Sequence, residues 1–230
     1  MPKRYHLRVA FLWVFIGWMN PYSHLPGKAG DEGWQLAKDV NGIRVYTRSP
    51  GRRSVEGLNV NEFKAITTVD ASLSAIVAVF TDVPSYPTWL FNCIAAEVLE
   101  RNAPERFKYH LETKAPFPFD NRDMVQQLSI QQNPDTKIVR VQLENLPAFI
   151  DTIDGIVRMP VAEGFWFLKP LSDQQVELTF QYRFDPGGNI PAWAVNMFLV
   201  KSPYETLTNL RERLKEEKYL NTTISWIENG

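Results

Sequence analysis

Four residues carry the chemistry this chain has to offer: Tyr109 and His110 on one predicted strand, and Arg122 and Asp123 at the head of another. A phenol, an imidazole, a guanidinium and a carboxylate facing one polar interior would be a proton-shuttling set, with the imidazole as its natural base. Against that, a lone histidine on a strand is ordinarily a structural group. No H-E-x-x-H, G-x-S-x-G, P-loop or G-x-G-x-x-G pattern occurs. Asp151 and Asp154 stand three apart but fall in a loop, where solvated carboxylates are the default. Cys93 is the one cysteine, which excludes an intramolecular disulfide and any multi-cysteine metal site. With no base beside it in sequence, it reads as a small buried apolar residue. The expectation is no catalytic residue, no metal and no cofactor.

The elements that must position these groups alternate strand-like runs with two helical patterns. Asn41-Gly42 between two runs is a tight-turn signal; a short amphipathic piece precedes it and a strand, Ile43–Arg48, follows. A longer strand is expected over Val55–Val69, with Asn59 and Asn61 as bulge candidates. Leu73, Ile76, Val77 and Phe80 recur at helical spacing, so a helix is expected over Ala71–Asp82, with Asp70 as N-cap and Pro84 just past its end. A short turn follows through Tyr86–Phe91. Further strands are expected at Ile94–Arg101, Phe107–Lys114, Arg122–Gln132, Thr136–Glu144, Gly155–Pro170 and Gln174–Phe184. Strands at this spacing, with turn residues between them, make one curved antiparallel sheet. Helices segregated from such a sheet define an α+β domain.

The last helix begins at Asp185-Pro186-Gly187-Gly188-Asn189-Ile190-Pro191. Proline and the glycine pair stop the strand, Asn189 suits an N-cap, and Pro191 suits the first helical turn. The helix is expected to run to about Lys218, bent at Pro203. Trp193, Met197, Val200, Tyr204, Leu207 and Leu214 form an apolar stripe, widened by Ile190, Ala194 and Phe198. Lys201, Glu205, Asn209, Arg213 and Glu216 are expected on the solvated side. One such helix closing a strand-rich chain suggests a sheet wrapped around a helix with a cavity between them. That arrangement points to binding.

Composition sets the outer bounds. The chain has 230 residues, 44% of them hydrophobic and 13% aromatic, enough for one sizeable domain. A formal net charge of −1 supplies no basic field for nucleic acid. At the N-terminus, Lys3, Arg4 and Arg8 precede an apolar run from Val9 to Met19, which matches a secretory signal peptide and is too short to span a bilayer. An uncleaved anchor, an ordinary helix or a misplaced start codon are the other readings. Gly27-Lys28-Ala29 offers small residues at the cleavage spacing. Cleavage there leaves 21 basic against 26 acidic residues, a net charge of −5, and His110 as the one remaining histidine. Residues 1–29 are thus a leader or anchor, 30–33 a linker, 34–218 the domain and 219–230 a C-terminal tail. The protein is expected to be exported to the periplasm.

Pro116-Phe117-Pro118 followed by Arg122-Asp123-Met124-Val125 resembles the "P-x-P … R-D-x-V" segment of START (StAR-related lipid-transfer) domains. Arg158, Gly164-Phe165-Trp166 and Pro170 resemble the family's "VR … GxW … P" strand. Trp89 and the Asp185–Trp193 loop match in order, so the resemblance covers roughly Gly33 to Glu217, and it is to the bacterial stand-alone type of the Bet v 1-like superfamily. It implies a helix-grip fold: a curved antiparallel sheet wrapped around a long C-terminal helix, enclosing an apolar tunnel for one lipid. Together with the apolar stripe of the last helix, it points to Trp89, Tyr109, Phe117, Phe119, Arg122, Trp166, Trp193, Met197, Val200 and Tyr204 as ligand-binding residues. The implied partners are a lipid or other hydrophobic small molecule and, transiently, a membrane. A monomer is expected, with no nucleic acid. Exchange is expected through movement of Lys114–Asn121 and Asp185–Asn189. Some sterol-binding members carry a basic residue on the strand that begins at R-D; here Asp123–Gln132 has none, and Gln126, Leu128 and Ile130 share one of its faces. The alternative is a related cyclase/dehydrase-type enzyme acting on a hydrophobic polyketide-like substrate, with Tyr109, His110, Arg122 and Asp123 as its candidates.

Overall fold

Turn chemistry starts the sheet. The computed structural model describes residues 33–48 and 60–230; the leader expected at 1–29, most of the linker and the front of the Val55–Val69 strand lie outside them. Asn41 and Gly42 both take positive φ, 53° and 70°, the two-residue hairpin backbone that Asn-Gly adopts most readily. They join β1 (Gln35–Val40) to β2 (Ile43–Arg48). The amphipathic piece before the turn is therefore a strand.

β3 (Asn61–Val69) continues the sheet, and its pairing with the last strand runs without a register shift, so Asn61 marks no bulge there. α1 (Leu73–Thr81) follows, capped by Ser72 instead of Asp70: the Ser72 hydroxyl accepts from the Ala75 N–H at 3.1 Å. A 3-10 turn over Val83–Thr88 leads into β4 (Cys93–Ala103), β5 (Arg106–Thr113), β6 (Asn121–Gln132) and β7 (Val139–Asn145). The single strand expected over Gly155–Pro170 is two. β8 (Ile156–Arg158) pairs parallel to β6, and β9 (Val161–Ser172) pairs with β7 and with β10 (Gln175–Asp185). Pro160 sits at the break, where its missing N–H ends a ladder.

The strands form one open, otherwise antiparallel sheet in the order β1-β2-β3-β10-β9-β7-β6-β5-β4. Across it runs α2 (Ala192–Arg213), the helix that the sheet grips. Pro191, not Asn189, holds the N-cap position, and Pro203 lies inside the helix and is buried. The helix ends at Arg213, short of Lys218, and α3 (Glu217–Leu220) restarts after an extended Glu216. Arg211 moors α2 to the first hairpin: its guanidinium donates to the carbonyls of Asn41 (2.6 Å), Gly42 (3.4 Å) and Thr68 (3.2 Å), and to the Thr67 hydroxyl. Two residues expected on the solvated side are engaged instead. Asn209 donates to the Trp89 carbonyl at 3.2 Å, and Arg213 lies over the Tyr219 ring while pairing with Glu216.

The segment expected as a tail belongs to the domain, and the compact unit runs from Gly33 to Gly230. Tyr219 and Ile227 are buried, Tyr219 donates its hydroxyl to Asp82 at 2.6 Å, and Asn229 accepts from the Ser74 N–H at 3.0 Å. Gln132 and Glu228 exchange two side-chain-to-backbone bonds. Among the described residues no helix is long and apolar enough to cross a membrane.

Gly164, in the centre of β9, shows how closely this shell is packed. A Cβ there would stand 2.2 Å from the Gln181 carbonyl oxygen and 2.8 Å from Tyr182 Cα, both backbone atoms that cannot swing away. Gly164→Ala is expected to cost about 1–3 kcal/mol or more and to lower Tm by several degrees in a thermal melt; an unchanged Tm would show the strands slide apart freely.

Candidate functional site

Between the sheet and α2 lies a cavity of about 1000 Å³, counted out to its opening to solvent. Strand alternation builds its wall, because every second side chain points to the same face. From β5 come Tyr109, Leu111 and Thr113; from β6 come Arg122, Met124, Gln126 and Leu128. On β10, Phe180, Tyr182 and Phe184 do the same at two-residue steps. Trp166 stacks on Phe180 with ring centroids 3.8 Å apart and planes 3° from parallel, and Phe80 leans on Trp166 at 4.9 Å. From α2 the cavity receives Phe198, Ser202 and Thr206, spaced four residues apart on one face.

The polar groups of this wall are largely occupied with one another. Tyr109 donates its hydroxyl to Gln126 Oε1 at 2.6 Å; Gln126 Nε2 donates to the Ala162 carbonyl at 2.5 Å and to Tyr182 Oη at 2.9 Å. Burial pushes the phenols of Tyr86, Tyr109 and Tyr182 well above their ordinary range, so all three stay protonated. Burial likewise pushes the Cys93 thiol up to about 12, far from thiolate. Among the described residues no cluster of His, Cys, Asp or Glu is arranged to hold a metal ion.

The sequence-derived candidates divide. Trp89, Tyr109, Arg122 and Trp166 line the cavity. Phe117 does not: it is 94% exposed on the loop between β5 and β6. Phe119 and Trp193 pair outside the lining, with rings 6.4 Å apart and Trp193 56% exposed. Met197, Val200 and Tyr204 also fall outside it, because they lie on a different flank of α2. There Tyr204 accepts from Asn41 Nδ2 at 3.1 Å and carries the Lys38 ammonium over its ring. The stripe therefore divides: Phe198 lines the cavity beside Ser202 and Thr206, whose hydroxyls a search for apolar periodicity passes over, while Leu207 is buried in the core and Trp193 is exposed. The aromatics of β10 were missed although their two-residue alternation is the signal that would have found them.

The proton-shuttling set is also broken up by the pleat. His110 and Asp123 occupy the outer face of the sheet, where His110 Nε2 and Asp123 Oδ2 are 2.9 Å apart. Arg158 grips the same carboxylate with two donors, each at 2.9 Å, and donates onward to the carbonyls of Pro147, Ile150 and Asp151. The fully buried Asp123 is therefore the anchor of the 146–155 loop. Burial raises its pKa, but the bonds from Arg158 and His110 outweigh that and hold it below the usual carboxylate range. Arg122, on the inner face, donates to the carbonyls of Pro186 (3.2 Å), Gly187 (3.3 Å) and Asp120. It ties together the two loops through whose movement exchange is expected.

Comparison with known proteins agrees with this geometry. The family model described as polyketide cyclase / dehydrase and lipid transport matches residues 69–211. A crystallised fragment of a STAR-related lipid transfer protein from Xanthomonas axonopodis superimposes with a TM-score of 0.71 at 34% identity, covering 80% of this chain and 100% of that one. An uncharacterized Pseudomonas aeruginosa protein is 31% identical over 185 residues, 80% of this chain and 88% of its own. The mouse phosphatidylcholine transfer protein is 25% identical over 170 residues, 71% of this chain and 75% of its own.

Asp123 generates a two-part prediction. Its lowered folded-state pKa means its contribution is present above the unfolded value, about 3.9, and is lost as pH falls through the folded value. Asp123→Asn should cost about 3–5 kcal/mol by stranding Arg158 and should flatten the fall in urea-unfolding stability below about pH 4. Because the group faces away from the cavity, lipid uptake by the folded variant should match wild type.

Proposed function

The chain belongs to the polyketide cyclase / dehydrase and lipid transport family as a START-domain protein, and from that membership and its cavity we infer that it carries one lipid at a time, shielded from water, between membranes. The observation that carries the reading is the wall itself: rings and aliphatic side chains surround a space that no described side chain fills. Moving apolar ligand surface into it yields about 25 cal/mol per Å², so chains alone supply the driving force. Likeness to the phosphatidylcholine transfer proteins supports a phospholipid-sized ligand over a small metabolite.

Carriage is favoured over cyclase chemistry by the placement of the candidate groups. His110 and Asp123 lie on the far side of the sheet from the cavity, and the cavity phenols are held neutral by burial. A substrate bound inside meets no poised base among the described residues. Exposed Phe117 and Trp193, with Phe119 beside them, form an apolar projection next to the loops that Arg122 ties, suited to transient insertion in a bilayer surface. The basic and apolar start of the chain supports export and action in the periplasm.

Native mass spectrometry of the purified protein, followed by lipid extraction, tests carriage: one lipid per chain is expected, and no lipid before or after exposure to liposomes rejects it. Ser202→Trp, which pushes an indole from α2 into the cavity, should abolish co-purifying lipid and vesicle-to-vesicle transfer while leaving the circular dichroism spectrum intact. Undiminished transfer by that variant would place the ligand elsewhere.

A further inference from the structure

Donors and acceptors in the cavity do not balance. Among its described lining residues Arg122 is the one formal charge: no Asp, Glu or Lys shares the wall. It is 5% exposed, and its bonds go to neutral backbone carbonyls, with only a through-space pull from Asp120 in support. A guanidinium has five N–H groups; three are used by Pro186, Asp120 and Gly187, leaving one on each terminal nitrogen. Trp89, also in the lining and buried, has an indole N–H with no acceptor at all. The Gln126 carbonyl, the one amide acceptor in the wall, already receives the Tyr109 hydroxyl. The wall offers unfilled donors and one uncompensated cation, and no anion.

Charges taken out of water are retained at low cost only when paired, and carbonyl dipoles relieve a buried guanidinium without neutralising it. The missing partner is thus acceptor-rich and negative. We propose that the cavity takes an amphiphile whose oxyanion, a phosphate or a carboxylate, seats on the two remaining N–H groups of Arg122 beside Pro186, with its chains against the Trp166–Phe180 stack. Paired terminal donors match the two oxygens of such a group. The Trp89 N–H is a further buried donor among the lining residues, suited to an ester carbonyl. The inference rests on the lipid-carrier reading and adds the headgroup chemistry to it.

Two matched pairs of probes separate the inference from that reading. The delipidated full chain is offered dioleoyl phosphatidate or dioleoylglycerol, and oleate or oleyl alcohol, and bound probe is counted by native mass spectrometry. At least one charged member should be bound about tenfold better than its uncharged partner; the pair that discriminates tells phosphate from carboxylate. Equal binding within both pairs overturns the oxyanion seat while leaving carriage standing. Binding of none of the four overturns both. Arg122→Gln, which can still donate to the loop carbonyls, should erase the discrimination but keep uptake of the uncharged probes. Discrimination that persists in the folded variant would also overturn the proposal. Should the variant not fold, the wild-type pairs decide alone.

Discussion

Everything about this domain turns on the pleat of β6 at Arg122-Asp123. Two neighbouring ionisable residues must point to opposite faces of a strand, and each becomes the hub of a separate clamp. Inward, Arg122 holds the carbonyls of two loops at the end of the cavity. Outward, Asp123 receives Arg158 and His110, and Arg158 passes the restraint on to the backbone of the 146–155 loop. A shift of one residue in β6 would exchange the two groups, leaving a carboxylate in the cavity and a guanidinium among the loop's carbonyls without its counter-charge. The register β5–β6–β7 is therefore fixed by charge as well as by apolar burial.

A protein that keeps room for a ligand gives up the close packing that stabilises ordinary interiors, so its rigidity has to come from the shell. Here the wall is braced by groups that satisfy one another. The Tyr109–Gln126–Tyr182 chain spans three strands, and the aromatic stack of Phe80, Trp166 and Phe180 joins α1 to the sheet. The C-terminal segment is joined to the end of α1 through Asp82, which receives Lys218 and Tyr219. The same bracing keeps the cavity chemically quiet, since buried phenols that bond to an amide neither ionise nor take up protons.

Where physics is local, the sequence was easily read. Turn residues such as Asn41-Gly42 and the Asp185–Gly188 break, together with alternating runs, marked nearly every strand and the final helix, because those signals act within a few residues. What needed tertiary knowledge was missed. Asp70 and Ser72 are both good caps, and only packing selects Ser72. The stretch from Tyr219 to Gly230 has the composition of a tail, yet Ile227 is buried and Asn229 accepts from the Ser74 N–H of α1, 155 residues away. On α2 the error is more instructive. A wall that faces a ligand need not be continuously apolar, so the stripe caught Phe198 but passed over Ser202 and Thr206, while Met197, Val200 and Tyr204 lie outside the lining. Hydrophobic periodicity reports what a helix packs against, not where it leaves a gap.

Overall charge and local charge then pull in different directions. The chain carries more acid than base, −1 in full and −5 after removal of residues 1–29, which by itself disfavours an anionic partner. That field is screened over about 8–10 Å at physiological salt and reaches a ligand only on approach. Inside the cavity Arg122 meets no carboxylate among the described lining residues, and at low effective dielectric a buried charge interacts more strongly than solvated surface carboxylates do. Apolar Phe117 and Trp193 stand out from the surface without adding to its charge. A chain of net negative charge around one buried cation is thus consistent with the oxyanion seat proposed for Arg122.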